Sequence, residues 1–184
     1  MKQYIISITA QDHPGIVAGI GEAILDLAGN IEAASQTVHQ GYFAMIILAG
    51  FPAEPAADVL DRKIRQTAGQ DLHVFVTEHR PLPSAPGGGS QTFFVTAVGA
   101  DRPGILQALA AYLASKQVNI DDLYATVSRG EFIVICQASV PAHLDVAQLQ
   151  RELEAVGHER GFTAHFQHEN IFVATNELRL GRIG

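Results

Sequence analysis

The sequence predicts an α+β protein built from two copies of one βαββαβ sandwich in tandem. Three observations carry this reading. The first half of the chain lies on the second without a gap, each half alternates apolar residues at strand and then at helix spacing, and a Pro- and Gly-rich stretch separates the halves. Tyr4–Pro52 falls on Phe93–Pro141 with thirteen identical positions, among them Asp12/Asp101, Pro14/Pro103, Gly15/Gly104, Asn30/Asn119, Gly41/Gly130 and Phe43/Phe132. Two copies at so long a period indicate domain duplication, not a solenoid. The expected domains are residues 1–80 and 92–175, with a flexible connector at 81–91 and a C-terminal tail at 176–184.

Within each copy the elements follow in order. Tyr4, Ile6 and Ile8, matched by Phe93, Val95 and Ala97, recur at every second position and predict a strand. Asp-x-Pro-Gly then stops the strand and begins a helix, since Pro is pre-set for a first turn and Asp can cap free N–H groups. Ile16, Ile20, Ile24 and Leu27 form one helical stripe; Ile105, Leu109, Leu113 and the stem of Lys116 form its counterpart. Asn-Ile opens a second strand, Gln40-Gly41 or Arg129-Gly130 makes a tight hairpin, and YFAMIILAGF or EFIVICQASV is the third strand. A second helix follows Pro52 or Pro141, with Leu60 and Ile64, or Val146, Leu149, Leu153 and Val156, as its apolar positions. Leu72, Val74 and Val76, or Phe162, Ala164 and Phe166, supply the fourth strand.

Right-handed crossovers put both helices on one side of an antiparallel sheet, which gives a ferredoxin-like sandwich. The third strand is apolar at consecutive positions, Met45 to Leu48 and Ile133 to Cys136, so both of its faces are expected to be covered. The helices cover one; a second sheet, from the other copy or from another chain, is expected on the other, hence a compact tandem and a homodimer.

Composition narrows the function classes. Twelve Lys and Arg against nineteen Asp and Glu leave a net charge of −7, which argues against direct nucleic-acid binding by bulk charge. No apolar run reaches the ~18 residues of a membrane span, and MKQYIISITAQD lacks the features of a signal peptide, so a cytoplasmic location is expected. The single cysteine, Cys136, sits in an apolar run and reads as a small buried hydrophobe. Of the eight histidines, His165 and His168 fall on opposite faces of a strand and His158 lacks a partner four residues on, so no metal site is expected. GGGS at 87–90 precedes a strand and has no Gly-Lys-Ser/Thr, and no nucleophile elbow or carboxylate pair marks a catalytic centre; neither catalytic residues nor a cofactor are expected.

The residues with chemical promise are the two strand-to-helix corners. A helix N-terminus presents unpaired N–H groups and partial positive charge suited to a carboxylate. Gly15 or Gly104 permits close approach to the backbone, Asn30 or Asn119 offers a donor and an acceptor, and Asp12 or Asp101 can receive an ammonium. The same residues also make sense as helix caps and turn formers, and a capping carboxylate would occupy the amides a ligand needs. The copies differ at His13 against Arg102, so the second corner is permanently cationic and is the better anion site.

Asp12-His13-Pro14-Gly15-Ile16 with Asn30-Ile31, repeated as Asp101-Arg102-Pro103-Gly104-Ile105 with Asn119-Ile120, resembles the ACT domain, a small regulatory module of amino-acid metabolism. The resemblance covers residues 4–79 and 93–170. A tandem of two such domains with no catalytic domain attached is similar in architecture to the glycine cleavage system transcriptional repressor family. The resemblance implies an amino acid as ligand, held between the Asp-x-Pro-Gly turn and an adjacent domain, and a transcription factor as protein partner. Asp12, His13, Gly15 and Asn30, with Asp101, Arg102, Gly104 and Asn119, transfer as ligand-binding candidates. A ligand-independent adaptor and, less favoured, a small ferredoxin-like enzyme are the competing functions.

Overall fold

The computed structural model describes residues 1–81 and 89–170. The chain divides into two compact units, Met1–Pro83 and Ser84–Gly184. In the first, β1 (Lys2–Gln11), α1 (Ile16–Asp26), β2 (Asn30–His39), β3 (Tyr42–Phe51), α2 (Ala57–Ala68) and β4 (His73–Glu78) follow one another. In the second the order repeats as β5 (Ser90–Ala100), α3 (Ile105–Ser115), β6 (Asn119–Ser128), β7 (Glu131–Pro141), α4 (Val146–Arg160) and β8 (Phe162–His168). The sheet orders are β2-β3-β1-β4 and β6-β7-β5-β8, and all pairings are antiparallel. Two ferredoxin-like βαββαβ sandwiches are therefore the fold.

The connector expected at 81–91 lies mostly outside the described residues, and the tail at 176–184 does so entirely. Ser90 and Gln91 belong to β5, paired with Pro141 and Val140. No helix among the described residues is long and apolar enough to cross a membrane.

Each core lies between the helices and the sheet. Ile6, Ile47, Ile20, Leu60 and Ile64 are at most 1% exposed in the first, as are Val95, Val134, Leu109 and Leu153 in the second. Burying one such side chain is worth about 1.5–3 kcal/mol, so the period-2 and helical stripes hold each unit together. The hairpins at Gln40-Gly41 (φ 54° and 80°) and Arg129-Gly130 (φ 55° and 83°) have positive φ at both central residues, as the right-handed twist of the flanking strands requires. Both first helices end in a Schellman motif. Gly29 and Val118 donate to the carbonyls of Ile24 and Leu113 at 2.8 and 3.0 Å, and Ala28 and Gln117 occupy the left-handed position at φ 55° and 56°.

In the first unit the helices cover one face of the third strand and leave the other outward, the face for which a second sheet is expected. Met45 and Ile47 point into the core, whereas Ile46 is 56% exposed and Leu48 is half-buried. Both helices lie on one face of the sheet, so the period of the strand turns every second apolar residue of the run outward.

Candidate functional site

The corners are built alike. At the end of β1 the N–H of Asp12 donates to the carbonyl of hairpin residue Gly41 at 2.9 Å; at the end of β5, Asp101 donates to Gly130 at 3.0 Å. The hairpin thus braces the corner through its backbone. The helix does not begin with Pro, nor is it capped by Asp. Gly15 and Gly104 are the N-caps, at φ 102° and 98°, and no side chain caps either helix. The chain spends Pro and Gly on a left-handed turn before the first helical residue, which leaves the carboxylate too early in sequence to reach the N–H groups it would cap. Among the described helices only α4 is capped by an aspartate, Asp145, whose Oδ1 accepts from Ala147 N–H at 2.9 Å.

The amides of the corner helices are consequently available. The first intrahelical bonds run from Gly19 N–H to Gly15 C=O and from Ala108 N–H to Gly104 C=O, both 2.9 Å. Ile105, Leu106 and Gln107, like Ile16, Val17 and Ala18, direct their N–H groups out of the helix end. A Cβ placed on Gly15 or Gly104 would meet nothing within 4 Å, so both glycines open onto free space.

Asp12, His13 and Gly15 are exposed, as are Asp101, Arg102 and Gly104. His13 Nδ1 lies 3.1 Å from the Pro14 carbonyl. Among the described residues the Asp101 carboxylate and the Arg102 guanidinium have no hydrogen-bond or ion-pair partner. A hollow of about 510 Å³ opens at the second corner, bounded by Asp101, Arg102 and Gly104 on its polar side and by Ile105, Leu106, Ala110 and Phe132 on its apolar side. Arg102 also reaches toward the turn after α4, where a Cβ on Gly161 would lie 3.4 Å from its Nη1. A larger hollow of about 670 Å³ along α4 and β8 contains none of the predicted residues.

The asparagines lie elsewhere. Ala100 pairs with Glu131 and Glu131 with Ser128 at the corner end of the sheet, whereas Asn119 pairs with Ser139 and Ser139 with Thr92 at the opposite end. Asn30, opposite Gly50 and hence near Gln3, has the same place in the first unit. About eight residues of strand, roughly 27 Å, separate each asparagine from the corner of its own unit. Asn119 Nδ2 donates to Asp121 Oδ1 at 2.7 Å, and Asp121 Oδ2 accepts from the Ser139 hydroxyl at 2.6 Å. Neither asparagine caps a helix, because Ala28 and Gln117 already close those ends.

The apolar wall was not foreseen in the sequence. Phe132 repeats Phe43, which gave a signal, but Phe43 is 2% exposed while Phe132 is half-buried at the hollow, and repetition alone does not distinguish the two. Cys136 is buried, and burial pushes its thiol up to about 11, against a smaller opposing effect of the Val95 backbone. Among the described residues no three His, Cys, Asp or Glu side chains converge.

Comparison with known proteins agrees with this architecture. A UPF0237 protein of Methanopyrus kandleri is 35% identical over 85 residues, spanning 46% of this chain and 94% of its own. A UPF0237 protein of Streptococcus mutans is 34% identical over 84 residues, spanning 46% and 96%. The crystal structure of an unknown protein from Galdieria sulphuraria superposes with a TM-score of 0.75 at 21% identity, covering 91% of this chain and 98% of that one. A proposed glycine cleavage system transcriptional repressor superposes with a TM-score of 0.68 at 17% identity, with the same coverage. At these identities the structures establish the fold alone. The ACT-domain family model matches residues 2–77 and again 91–167, and with both sandwiches accounted for in this way the chain belongs to the ACT-domain family.

Proposed function

We propose that this chain is a regulatory amino-acid sensor that works through protein contacts and uses the Asp101–Gly104 corner as its binding site. ACT domains are modules of the regulatory, amino-acid-binding type. The observation that carries the assignment to this corner is the uncapped helix end. Amides at Ile105–Gln107 and a guanidinium at Arg102 that have no partner among the described residues face the same hollow as the Asp101 carboxylate, equally without one, and an apolar wall lies beside them. An α-amino acid matches this set: its carboxylate meets Arg102 and the amides, its ammonium meets Asp101, and its side chain lies toward Leu106, Ala110 and Phe132. Asp12, His13 and Gly15 repeat the arrangement with a weaker cation. Asn30 and Asn119 reach a ligand only when a second ACT module brings the far end of a sheet to a corner.

The finer reading is indirect control of transcription in glycine or amino-acid metabolism through a transcription-factor partner. The likeness to the proposed glycine cleavage repressor supports it at the level of fold. Ligand acts by favouring one arrangement of the protein over another, in proportion to its differential affinity.

A thermal-shift screen of the twenty amino acids tests the site. One or a few are expected to stabilise the wild type, by ~2.7 kcal/mol at a hundredfold excess over Kd, and Arg102→Ala is expected to abolish the response. A response unchanged in Arg102→Ala removes the site. Absence of any response in the wild type favours an adaptor that needs no ligand.

A further inference from the structure

We propose that the hollow between the last turn of α4 and the start of β8 binds a small molecule through a guanidinium group, at a site separate from the Asp101–Gly104 corner. Its volume, about 670 Å³, lies within the range of ligand pockets. Glu131, Glu154, His158, Phe162 and His165 line it, and no Lys or Arg does.

One acceptor in this hollow lacks a donor, and Gln150 reveals it by showing which way the backbone of β8 faces. Its Nε2 donates to the Ala164 carbonyl at 3.0 Å and its Oε1 accepts from the Phe166 N–H at 2.7 Å, so both residues turn their backbone groups to the open edge of the sheet. Phe162, two residues before Ala164, turns its groups the same way, because the direction repeats at every second residue of a strand. Phe162 is 5% exposed, yet among the described residues its carbonyl has no hydrogen-bond partner. Buried carbonyls without a partner are rare. Gly157 leaves this oxygen uncovered, since a Cβ there would lie against it.

The first unit fills the same place from within. By register Leu72 stands at the place of Phe162, and along the second helices Arg65 stands at the place of Glu154 and Asp61 at that of Gln150. The Arg65 guanidinium donates to the Leu72 carbonyl, and its Nε donates to Asp61 at 2.9 Å. One unit thus carries a built-in guanidinium on the strand carbonyl, where the other has a carboxylate. Glu154 accepts from Gln150 Nε2 at 2.8 Å only indirectly through its turn of helix, whereas Glu131 has no partner among the described residues. α4 also runs on to Arg160, whereas α2 ends at Ala68, at the place of Gly157, so the carbonyls of a further turn bring partial negative charge to the hollow. Arg102 approaches Gly161 from the corner but donates to none of these groups. A guanidinium fits the set better than an ammonium, because its planar fork donates to a carbonyl and a carboxylate at once. The apolar body of the ligand lies along Val98 and the Phe162 ring.

Butylguanidinium is the probe that tests this, and butylurea, similar in shape but uncharged, is its control. In amide NMR titrations of the full chain butylguanidinium is expected to bind saturably, with a Kd of about 1–10 mM as its small size allows, and to shift the amides of residues 157–164. Butylurea is expected to bind roughly tenfold more weakly, and Glu154→Gln to weaken butylguanidinium roughly threefold, since charge-assisted hydrogen bonds are lost in each case. Glu154→Arg, which writes the first unit's arginine into the second, is expected to abolish binding. Far-UV circular dichroism checks that both variants are folded. Neither probe carries a carboxylate, so the outcome does not depend on an amino acid binding at the corner. Absence of saturable binding up to about 50 mM overturns the proposal. So do shifts centred on residues 105–107, butylurea binding as tightly as butylguanidinium, or binding undiminished in the folded Glu154 variants.

Discussion

The two units solve the same packing problem with opposite means. In the first, α1 crosses α2 at Gly19 so closely that a Cβ there would lie 2.5 Å from the Ala68 Cα and from the Thr67 carbonyl oxygen. The Thr67 hydroxyl donates to the Gly19 carbonyl at 2.7 Å, so the helices touch through their backbones. In the second, Ala108 stands at Gly19's place and Tyr112 at Ala23's. The Tyr112 hydroxyl donates to the Leu149 carbonyl at 2.9 Å and to Glu152 at 3.3 Å, while Lys116 pairs with Glu152 at 2.5 Å. Backbone contact is replaced by a polar spacer. A second exchange lies under the sheet's far end: Phe51 with Gly29 in one unit, Val140 with Val118 in the other, a large residue beside none or two of medium size. The fold fixes total volume and leaves its partition between neighbours free.

The largest effect that follows is at Gly19. Gly19→Ala drives a methyl into backbone that cannot move aside as a flexible side chain would, and a loss of about 3 kcal/mol or more is expected. Ala108→Gly in the second unit introduces no clash and meets the helix-propensity cost of about 1 kcal/mol with the loss of one buried methyl, about 0.8 kcal/mol. Urea denaturation of both variants measures the contrast; equal losses would show that the crossings are not different in kind.

Next in size is the Phe51/Gly29 pair. Gly29→Val sets a Cβ 2.3 Å from the Phe51 ring, and Phe51→Val leaves a void. Each alone is expected to cost about 2–3 kcal/mol. Together they recreate the Val118/Val140 arrangement, so the double variant is expected to lose less than either single one. A double-mutant cycle with no coupling would sink the idea that the volumes are exchanged.

These contrasts also mark what the sequence could tell. Duplication, strand alternation and the helical stripes from Ile16 and Ile105 were legible because periodicity is a one-dimensional record of which face is buried. The corner was legible as a place but not as a geometry. Asp-x-Pro-Gly fits a capped helix and an uncapped left-handed turn equally well, and only the φ of Gly15 and Gly104 separates them. The distance of Asn30 and Asn119 from their corners depends on the register of β2 and β6, which no local pattern encodes. Phe132 gains its exposure at the hollow from three-dimensional packing that its identity with Phe43 conceals.

Smaller effects sharpen the same contrast through the Tyr112 spacer. Tyr112→Phe leaves the Leu149 carbonyl without its side-chain donor and is expected to cost about 1 kcal/mol, with no counterpart at Ala23. Hydrogen exchange separates the units: protection is expected to fall in α3 and α4 and to persist in α1 and α2.

The smallest effect is in pH dependence: among the described residues the first unit's alkaline shift is that of exposed Lys2, raised by its hydrogen bond to Glu78, whereas the second unit holds two groups raised by burial. Burial, followed by the Glu152 charge, raises the Tyr112 phenol above its ordinary 10.0, and burial pushes the Cys136 thiol up to about 11 from 9.0. Groups raised in the folded state contribute stability that is complete below their unfolded values and is lost as pH rises through the folded ones. The second unit is therefore expected to weaken from about pH 9 upward, Cys136 acting first and Tyr112 above it. On the acid side Lys116, followed by Gln148, lowers the Glu152 carboxyl, so its contribution is present above the ordinary carboxylate value and fades as pH falls through the lowered one. Tyr112→Phe is expected to flatten the upper part of the alkaline limb and Cys136→Ala the lower part. In the native protein Tyr112 is expected to keep its proton above the ordinary phenol value of 10.0, which ultraviolet phenolate absorbance reads as a high-pH step present in the wild type and absent from Tyr112→Phe. A wild type and a Tyr112→Phe variant with the same high-pH absorbance step would place the Tyr112 hydroxyl in water and break the spacer that distinguishes the units.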